Sequence, residues 1–161
     1  MMISWRELEA AAPQIAQPGR RRFESTRVAL LGTLRKDGSP RISPVEPYLS
    51  QGLLLFGAMP WSLKVTDLVR DPRCVLHSPI TAPDSGEVEL KLYGCATAAS
   101  NEIRDGCTNG WWQGRPMEAA IVFTVDIGEA TLIEWDLVRG EMLVRRWSAA
   151  EGLTETSRRY P

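Results

Sequence analysis

Two polar residues two positions apart, Ser62 and Lys64, carry the clearest chemistry in this chain. They stand in Pro60-Trp61-Ser62-Leu63-Lys64, which reads as the start of a helix. The first turn of a helix has unpaired N–H groups and the positive end of the helix dipole, so a phosphate is favoured there. A hydroxyl and an ammonium add charge-assisted hydrogen bonds to such a site. Upstream lie an apolar strand from Val28 to Leu34, a polar turn at Asp37-Gly38, a proline-broken strand from Pro40 to Val45 and a further strand from Leu53 to Phe56. The segment up to Arg73 reads as a β-barrel wall with a phosphate grip at its rim.

Other reactive residue types are sparse. The only histidine, His77, lies in the apolar run Cys74-Val75-Leu76-His77-Ser78. A lone histidine inside an apolar strand is more often a satisfied wall residue than a base. The three cysteines, Cys74, Cys95 and Cys107, are scattered and form no C-x-x-C pair, and with a single histidine a Cys/His metal site would lack both clustering and ligands. Cys74 and Cys95 fall in strands, where a free cysteine behaves as a small buried hydrophobe. Nothing beside Cys107 would activate it.

The elements that must position these residues follow from pattern. Ser4 and Glu7 have the spacing of a capping box, and Leu8, Ala11, Ala12 and Ile15 share a face, so a helix is expected from Ser4 to Ala16, ended by Pro18-Gly19. Strands are expected at Thr26 to Arg35, Arg41 to Leu49 and Leu53 to Gly57, the first two joined through the hairpin turn Lys36-Asp37-Gly38-Ser39. A helix from Ser62 to Arg70 stops at Asp71-Pro72, because the residue before proline avoids the helical region. Strands follow at Arg73 to Ser78 and Glu87 to Ala99, separated by an exposed, mobile loop from Pro79 to Gly86. Ser100 to Trp112 suits a short or broken helix, and three last strands are expected at Ala119 to Val125, Ala130 to Leu137 and Glu141 to Trp147. The tail after Ala149 is polar and is expected to be disordered. Many short strands and few helices indicate a mainly β fold, an antiparallel barrel.

Composition bounds the partners. A chain of 161 residues is long enough to bury about two-thirds of its unfolded surface as a single domain, 1–161. A net charge of −1 and a pI near 5.9 argue against nucleic acid. The one basic run, Gly19-Arg20-Arg21-Arg22, reads as a solvated helix end or loop. No stretch approaches the ~20 apolar residues of a membrane span, so no membrane partner and a cytoplasmic location are expected.

The order of motifs resembles the pyridoxamine 5'-phosphate oxidase-like FMN-binding split barrels. The residues that carry the resemblance are Leu34-Arg35-Lys36-Asp37-Gly38-Ser39-Pro40-Arg41, Ser62-Leu63-Lys64, Asp67-Leu68-Val69-Arg70-Asp71-Pro72-Arg73 and Glu89-Leu90-Lys91-Leu92-Tyr93-Gly94. The opening Ser4-Trp5-Arg6-Glu7-Leu8-Glu9 is similar to the N-terminal helix of the actinobacterial-type flavin and deazaflavin oxidoreductases. This resemblance implies a split β-barrel of Greek-key type and a homodimer with two intersubunit sites, each holding FMN or the deazaflavin coenzyme F-420. Carried over by position, Arg41, Ser62 and Lys64 would hold the phosphate. Ile42, Ser43, Pro44 and Val45 would run beside the ring with Phe56 and Gly57, and Glu89 would approach it from the other subunit. The residues agree in part. Pro40, Pro44 and Pro47 cannot donate to a sheet, so their strand should be bulged or at an edge.

Two departures are visible. Glu46 stands where authentic pyridoxamine phosphate oxidases carry a lysine, and Leu143-Val144-Arg145-Arg146-Trp147 lacks their second phosphate grip, which argues against vitamin B6 oxidation. Ser62-Leu63-Lys64 also lacks an arginine between the serine and the lysine, one cation fewer. Of the six tryptophans, Trp61 suits cover of a cofactor and Trp111-Trp112 a substrate pocket or dimer interface, while Trp135 and Trp147 suit a core; plain packing in a core or interface is at least as good a reading of each. The expectation is an oxidoreductase acting on a small-molecule substrate, with no side chain assigned as catalytic. The alternative is a flavin- or haem-binding protein without turnover, the haem form resting on His77 alone.

Overall fold

The computed structural model describes residues 1–82, 85–107 and 109–160. Its N-terminus is set by a capping box: Ser4 N–H donates to Glu7 Oε2 at 2.7 Å, and Glu7 N–H donates to Ser4 Oγ at 3.3 Å. The helix so started, α1 (Trp5–Ala11), stops at Ala12 rather than at Ala16, because Pro13 forces its predecessor out of the helical region. Pro13 then opens α2 (Pro13–Thr26) at the one helical position where its missing N–H is harmless. The Pro18-Gly19 pair expected to end the helix lies inside α2. Pro18 removes one helical hydrogen bond, and Gly19 brings the helix onto the sheet: a Cβ there would stand 2.7 Å from Leu90 Cδ2. Arg22 corrects the reading of a solvated basic run. It is 9% exposed, and it donates to Glu87 Oε1 at 2.9 Å and to the Pro79 carbonyl.

The described residues form one antiparallel sheet of nine strands. These are β1 (Ala29–Leu34), β2 (Pro40–Val45), β3 (Pro47–Ser50), β4 (Leu53–Ala58), β5 (Arg73–His77), β6 (Glu89–Ala98), β7 (Ile121–Asp136), β8 (Glu141–Ser148) and β9 (Gly152–Arg159). The main path runs β2-β1-β5-β6-β7-β4-β3, so its two ends are consecutive pieces of chain that meet at Glu46. The expected strand from Arg41 to Leu49 is thus one bent segment in two halves. β2 has a neighbour on one side only, in unbroken register from Ala29↔Val45 to Leu34↔Pro40. Its prolines mark an edge, without a bulge.

Two helices follow strands: α3 (Leu63–Arg70) after β4, and the short α4 (Asn101–Asp105) after β6. Two expected strands, Ala119–Val125 and Ala130–Leu137, fuse into the single β7, which carries an irregularity opposite Tyr93 and Gly94. The tail expected to be disordered is instead β9, paired with β8 along its length and exposed at every residue. Sequence polarity reported its exposure correctly, but a hairpin partner satisfies a backbone whose side chains bury nothing. The loop Pro79–Gly86, expected to be mobile, includes Pro83 and Asp84, which lie outside the described residues. Its flanks are tied: Glu87 accepts from Thr81 N at 2.7 Å and Thr81 Oγ1 at 2.8 Å as well as from Arg22. These hydrogen bonds hold the Glu87 carboxyl down at about 2.

The main core lies between the helices and the inner face of the sheet, where Trp5, Leu8, Ile15 and Phe23 meet Leu31, Leu76, Leu90, Leu92 and Leu132. A second cluster, Leu55, Cys107, Trp112, Ala120 and Val122, covers the outer face of β4 and β7. Among the described residues the outer face of β2, β1, β5 and β6 has no such cover. There Pro44, Leu30, His77 and Lys91 form one row across four strands, beside the exposed Ile42 and Tyr93.

Candidate functional site

A buried carboxylate organises the site. Asp67, on α3, is 3% exposed, where an unpaired charge is strongly unfavourable. Thr33 and Arg41 are cross-strand partners on β1 and β2, and both reach it. Thr33 Oγ1 donates to Asp67 Oδ2 at 2.9 Å and Arg41 Nε donates to the same oxygen at 2.6 Å. Arg70 Nη1 stands 3.6 Å from Oδ1. Burial pushes the Asp67 carboxyl up, but the hydrogen bonds from Arg41 and Thr33, with the two guanidinium charges, outweigh it and hold the group below its usual value. This anchorage is therefore fully present above the ordinary carboxylate range and is lost as pH falls through the lowered value. It holds Arg41 by Nε and leaves the two terminal guanidinium nitrogens to donate elsewhere.

Arg41 lines a cavity of about 390 Å³ with Ser43, Ser62 and Lys64. Ile42, Trp61 and Leu63 complete its apolar part. Ser62 occupies the N-cap of α3 with extended backbone, yet its side chain caps nothing. Its Oγ is buried with no hydrogen-bond partner among the described residues. A buried hydroxyl left so is destabilising by about 1–3 kcal/mol, and an acceptor held at the helix start relieves that. The residues fit a phosphate: an unsatisfied donor, a helix N-terminus and flexible or pre-oriented cations around one space.

Arg35, of which the sequence motif implies no role, also lines this cavity. It sits at the base of the hairpin turn, where its N–H donates to the Ser39 carbonyl at 2.8 Å. The turn itself is locked by Asp37 Oδ1, which accepts from Ser39 N at 3.0 Å and Ser39 Oγ at 2.6 Å, with Gly38 at φ 82°. The hairpin therefore offers the cavity a cation that the Ser62-Leu63-Lys64 sequence lacks.

The remaining ring-side candidates divide. Ile42 is 71% exposed, Pro44 is exposed, and both lie on the open side of β2. Val45 and Phe56 are buried in the core, Phe56 stacked on Phe123 with ring centroids 5.3 Å apart, so their side chains face away from the cavity. Gly57 lies beneath the tryptophans: a Cβ would stand 2.7 Å from Trp112 and 2.8 Å from Trp111. Glu89 is on β6, two strands away from β1, and forms its own cluster on the uncovered face. It pairs with Lys91, and its Oε1 lies 3.2 Å from His77 Nε2. The other ring nitrogen of His77 lies 2.7 Å from the Ser78 carbonyl, so both are engaged. Burial, with a further contribution from Cys95, pushes the Cys74 thiol up to about 12, which leaves it inert at neutral pH.

Among the described residues no helix is long and apolar enough to cross a membrane, and no group of three or more His, Cys, Asp or Glu is placed to hold a metal ion. No family model matches the sequence, and no curated protein sequence matches it. Solved structures do. A pyridoxamine 5'-phosphate oxidase-related, FMN binding protein from Nostoc punctiforme is similar over 91% of this chain and 95% of its own, at 12% identity and a TM-score of 0.62. PhzG from Burkholderia lata, in complex with tetrahydrophenazine-1-carboxylic acid, is similar over 96% of this chain and 93% of its own, at 11% identity and a TM-score of 0.67. A heme binding protein from Mycobacterium smegmatis is similar over 89% and 88%, at 14% identity and a TM-score of 0.57. The chain has the pyridoxamine 5'-phosphate oxidase-like split-barrel fold, mainly antiparallel β with few helices.

Proposed function

We propose that the protein binds FMN, or the deazaflavin coenzyme F-420, in the cavity between β2 and α3 and serves as an oxidoreductase for a small molecule. The observation that carries this reading is the unpaired Ser62 hydroxyl, buried at a helix start in a space that Arg35, Arg41 and Lys64 also line. Arg41, steadied by Asp67, would hold the phosphate with Ser62 and Lys64. The open edge of β2, from Ile42 to Val45, would lie along the ring. When bound, the ring supplies the hydride chemistry, and the protein positions it and excludes water. The likeness to an FMN binding protein supports this choice over haem. Haem has the Mycobacterium likeness in its favour, but both nitrogens of the sole histidine are already engaged. The absorption spectrum of the purified protein, alone and with added FMN or F-420, decides: flavin or deazaflavin bands that persist through gel filtration support the proposal, and a Soret band or retention of neither cofactor sinks it.

The assembly proposed is a homodimer built on the uncovered face. Ile42, Leu30 and Tyr93 are 71%, 38% and 44% exposed there, and Trp61 and Leu63 at the cavity rim are 78% and 61% exposed. A second copy would cover these apolar groups and close the cavity. Sedimentation velocity at micromolar concentration is expected to show a dimer, and a monomer would remove the intersubunit site. In such a dimer Glu89 would face the partner's ring. Glu89→Gln removes a negative charge beside it and is expected to change the bound flavin's reduction potential. An unchanged potential would leave Glu89 as part of the wall.

A further inference from the structure

A second cavity, of about 440 Å³, lies beyond the end of β2. Its walls come from the last turn of α2, from Glu46 and β3, and from the segment ending in Trp111 and Trp112. It is a built space. Asn109 N–H donates to Tyr48 Oη at 3.1 Å, which ties the third wall to β3. Tyr48 meets Trp112 edge-on with centroids 5.5 Å apart, and Trp111 meets Trp112 edge-on at 6.0 Å. Gly57 gives this aromatic group its seat on β4. Arg115, which does not line the cavity, lies 5.6 Å from the centre of the Trp111 ring and braces it.

The charge of this space is lopsided. Two carboxylates, Glu24 and Glu46, line it against one guanidinium, Arg27. Glu24 is partly answered by Arg20, 3.8 Å away. Glu46 makes no ion pair among the described residues. It stands exposed at the bend between β2 and β3. An aromatic wall with an unanswered carboxylate at its rim suits a flat body carrying a positive charge.

We propose that this cavity is a subsite for an organic cation, a protonated amine on an aromatic or alicyclic body, with Glu46 as its counter-ion and Trp111 and Tyr48 as its apolar wall. β2 runs from the phosphate grip at Arg41 to Glu46, a distance of roughly 16 Å at strand rise. The amine would therefore sit at the far end of the ring, where a substrate is needed. That placement rests on the cofactor reading above; the cation preference does not.

The test is calorimetric titration with benzylammonium, with benzoate as the anion of similar shape and benzyl alcohol as the neutral control, on protein with and without FMN. Benzylammonium is expected to bind about tenfold more tightly than either control in both forms, Glu46→Gln to abolish that preference, and Glu46→Lys to reverse it toward benzoate. Unchanged melting of both variants shows that the exposed substitution leaves the fold intact. Equal binding of cation and anion, tighter binding of benzoate through Arg27, or an unaffected Glu46→Gln overturns the subsite. In the FMN-loaded protein benzylammonium is expected to perturb the flavin absorption bands. Cation binding without that perturbation overturns the position beside the ring and leaves the cation preference standing. Failure to retain either FMN or F-420 marks failure of the cofactor reading instead.

Discussion

Lys64→Ala is expected to weaken FMN binding about ten- to a hundredfold, because a hydrogen bond to a charged group contributes roughly 1.5–3 kcal/mol. Arg41→Ala should weaken it to a similar degree, but the two variants differ in a second readout. Lys64 is a half-buried residue of the cavity wall, so its loss leaves the melting temperature close to wild type. Arg41 answers the buried Asp67, and removing it leaves that carboxylate to Thr33 and the more distant Arg70. Arg41→Ala should therefore also lower thermal stability. Fluorescence titration of FMN and thermal melts of the two proteins measure both effects. FMN binding as tight as wild type in both variants would place the phosphate elsewhere.

Gly94→Ala is expected to be the most damaging single-methyl change in the chain, destabilising by about 3 kcal/mol or more. A Cβ at Gly94 would stand 1.9 Å from the Asp126 carbonyl oxygen, a backbone atom that no rotamer change can move aside. The register of β6 against β7 shifts at this point, between Tyr93↔Glu129 and Gly94↔Ile127. The extra residue on β7 lets Ala130 and Leu132 face the core opposite Leu92 and Leu90 while Val125, of the other parity, still faces it opposite Ala96. Urea denaturation measures the effect. A midpoint equal to wild type would mean the strands separate there at little cost.

Sequence reading went furthest where one local rule decides one local structure. The capping box at Ser4 and Glu7, the turn at Asp37-Gly38 and the stop at Asp71-Pro72 each depend on a few neighbouring residues. The same proline rule at Pro13 divides the N-terminal helix, whereas the Pro18-Gly19 pair resembles a stop only because both residues are poor helix formers. Gly19 looked like a breaker because nothing local reveals Leu90 pressing on it. β9 was missed because an exposed polar strand has no hydrophobic period to detect. At the cavity, Ser62 and Lys64 were legible from helix-start chemistry, and Arg41 came from family likeness. Asp67, which holds Arg41, and Arg35, which joins the cavity from the hairpin, depend on a register and a turn that bring distant residues together. The outward or inward facing of Val45, Phe56 and Gly57 was likewise a matter of strand parity, which a proline-broken sequence leaves undefined.

The bent segment through Glu46 also constrains how the chain reaches this structure. β1 with β2 and β8 with β9 are hairpins whose pairing needs only short loops. β4 pairs with β7, however, from Leu54↔Val125 to Ala58↔Ile121, across most of the intervening sequence. Since β2 and β3 are one run of chain, the ring of strands closes only when β4 has found β7. Closing so long a loop has an entropic cost that the local hairpins do not share. Barrel closure is therefore expected to be the slow, late event of folding: in stopped-flow refolding, a lesion in the β4–β7 pairing should retard folding more than an equal lesion in the β8–β9 hairpin.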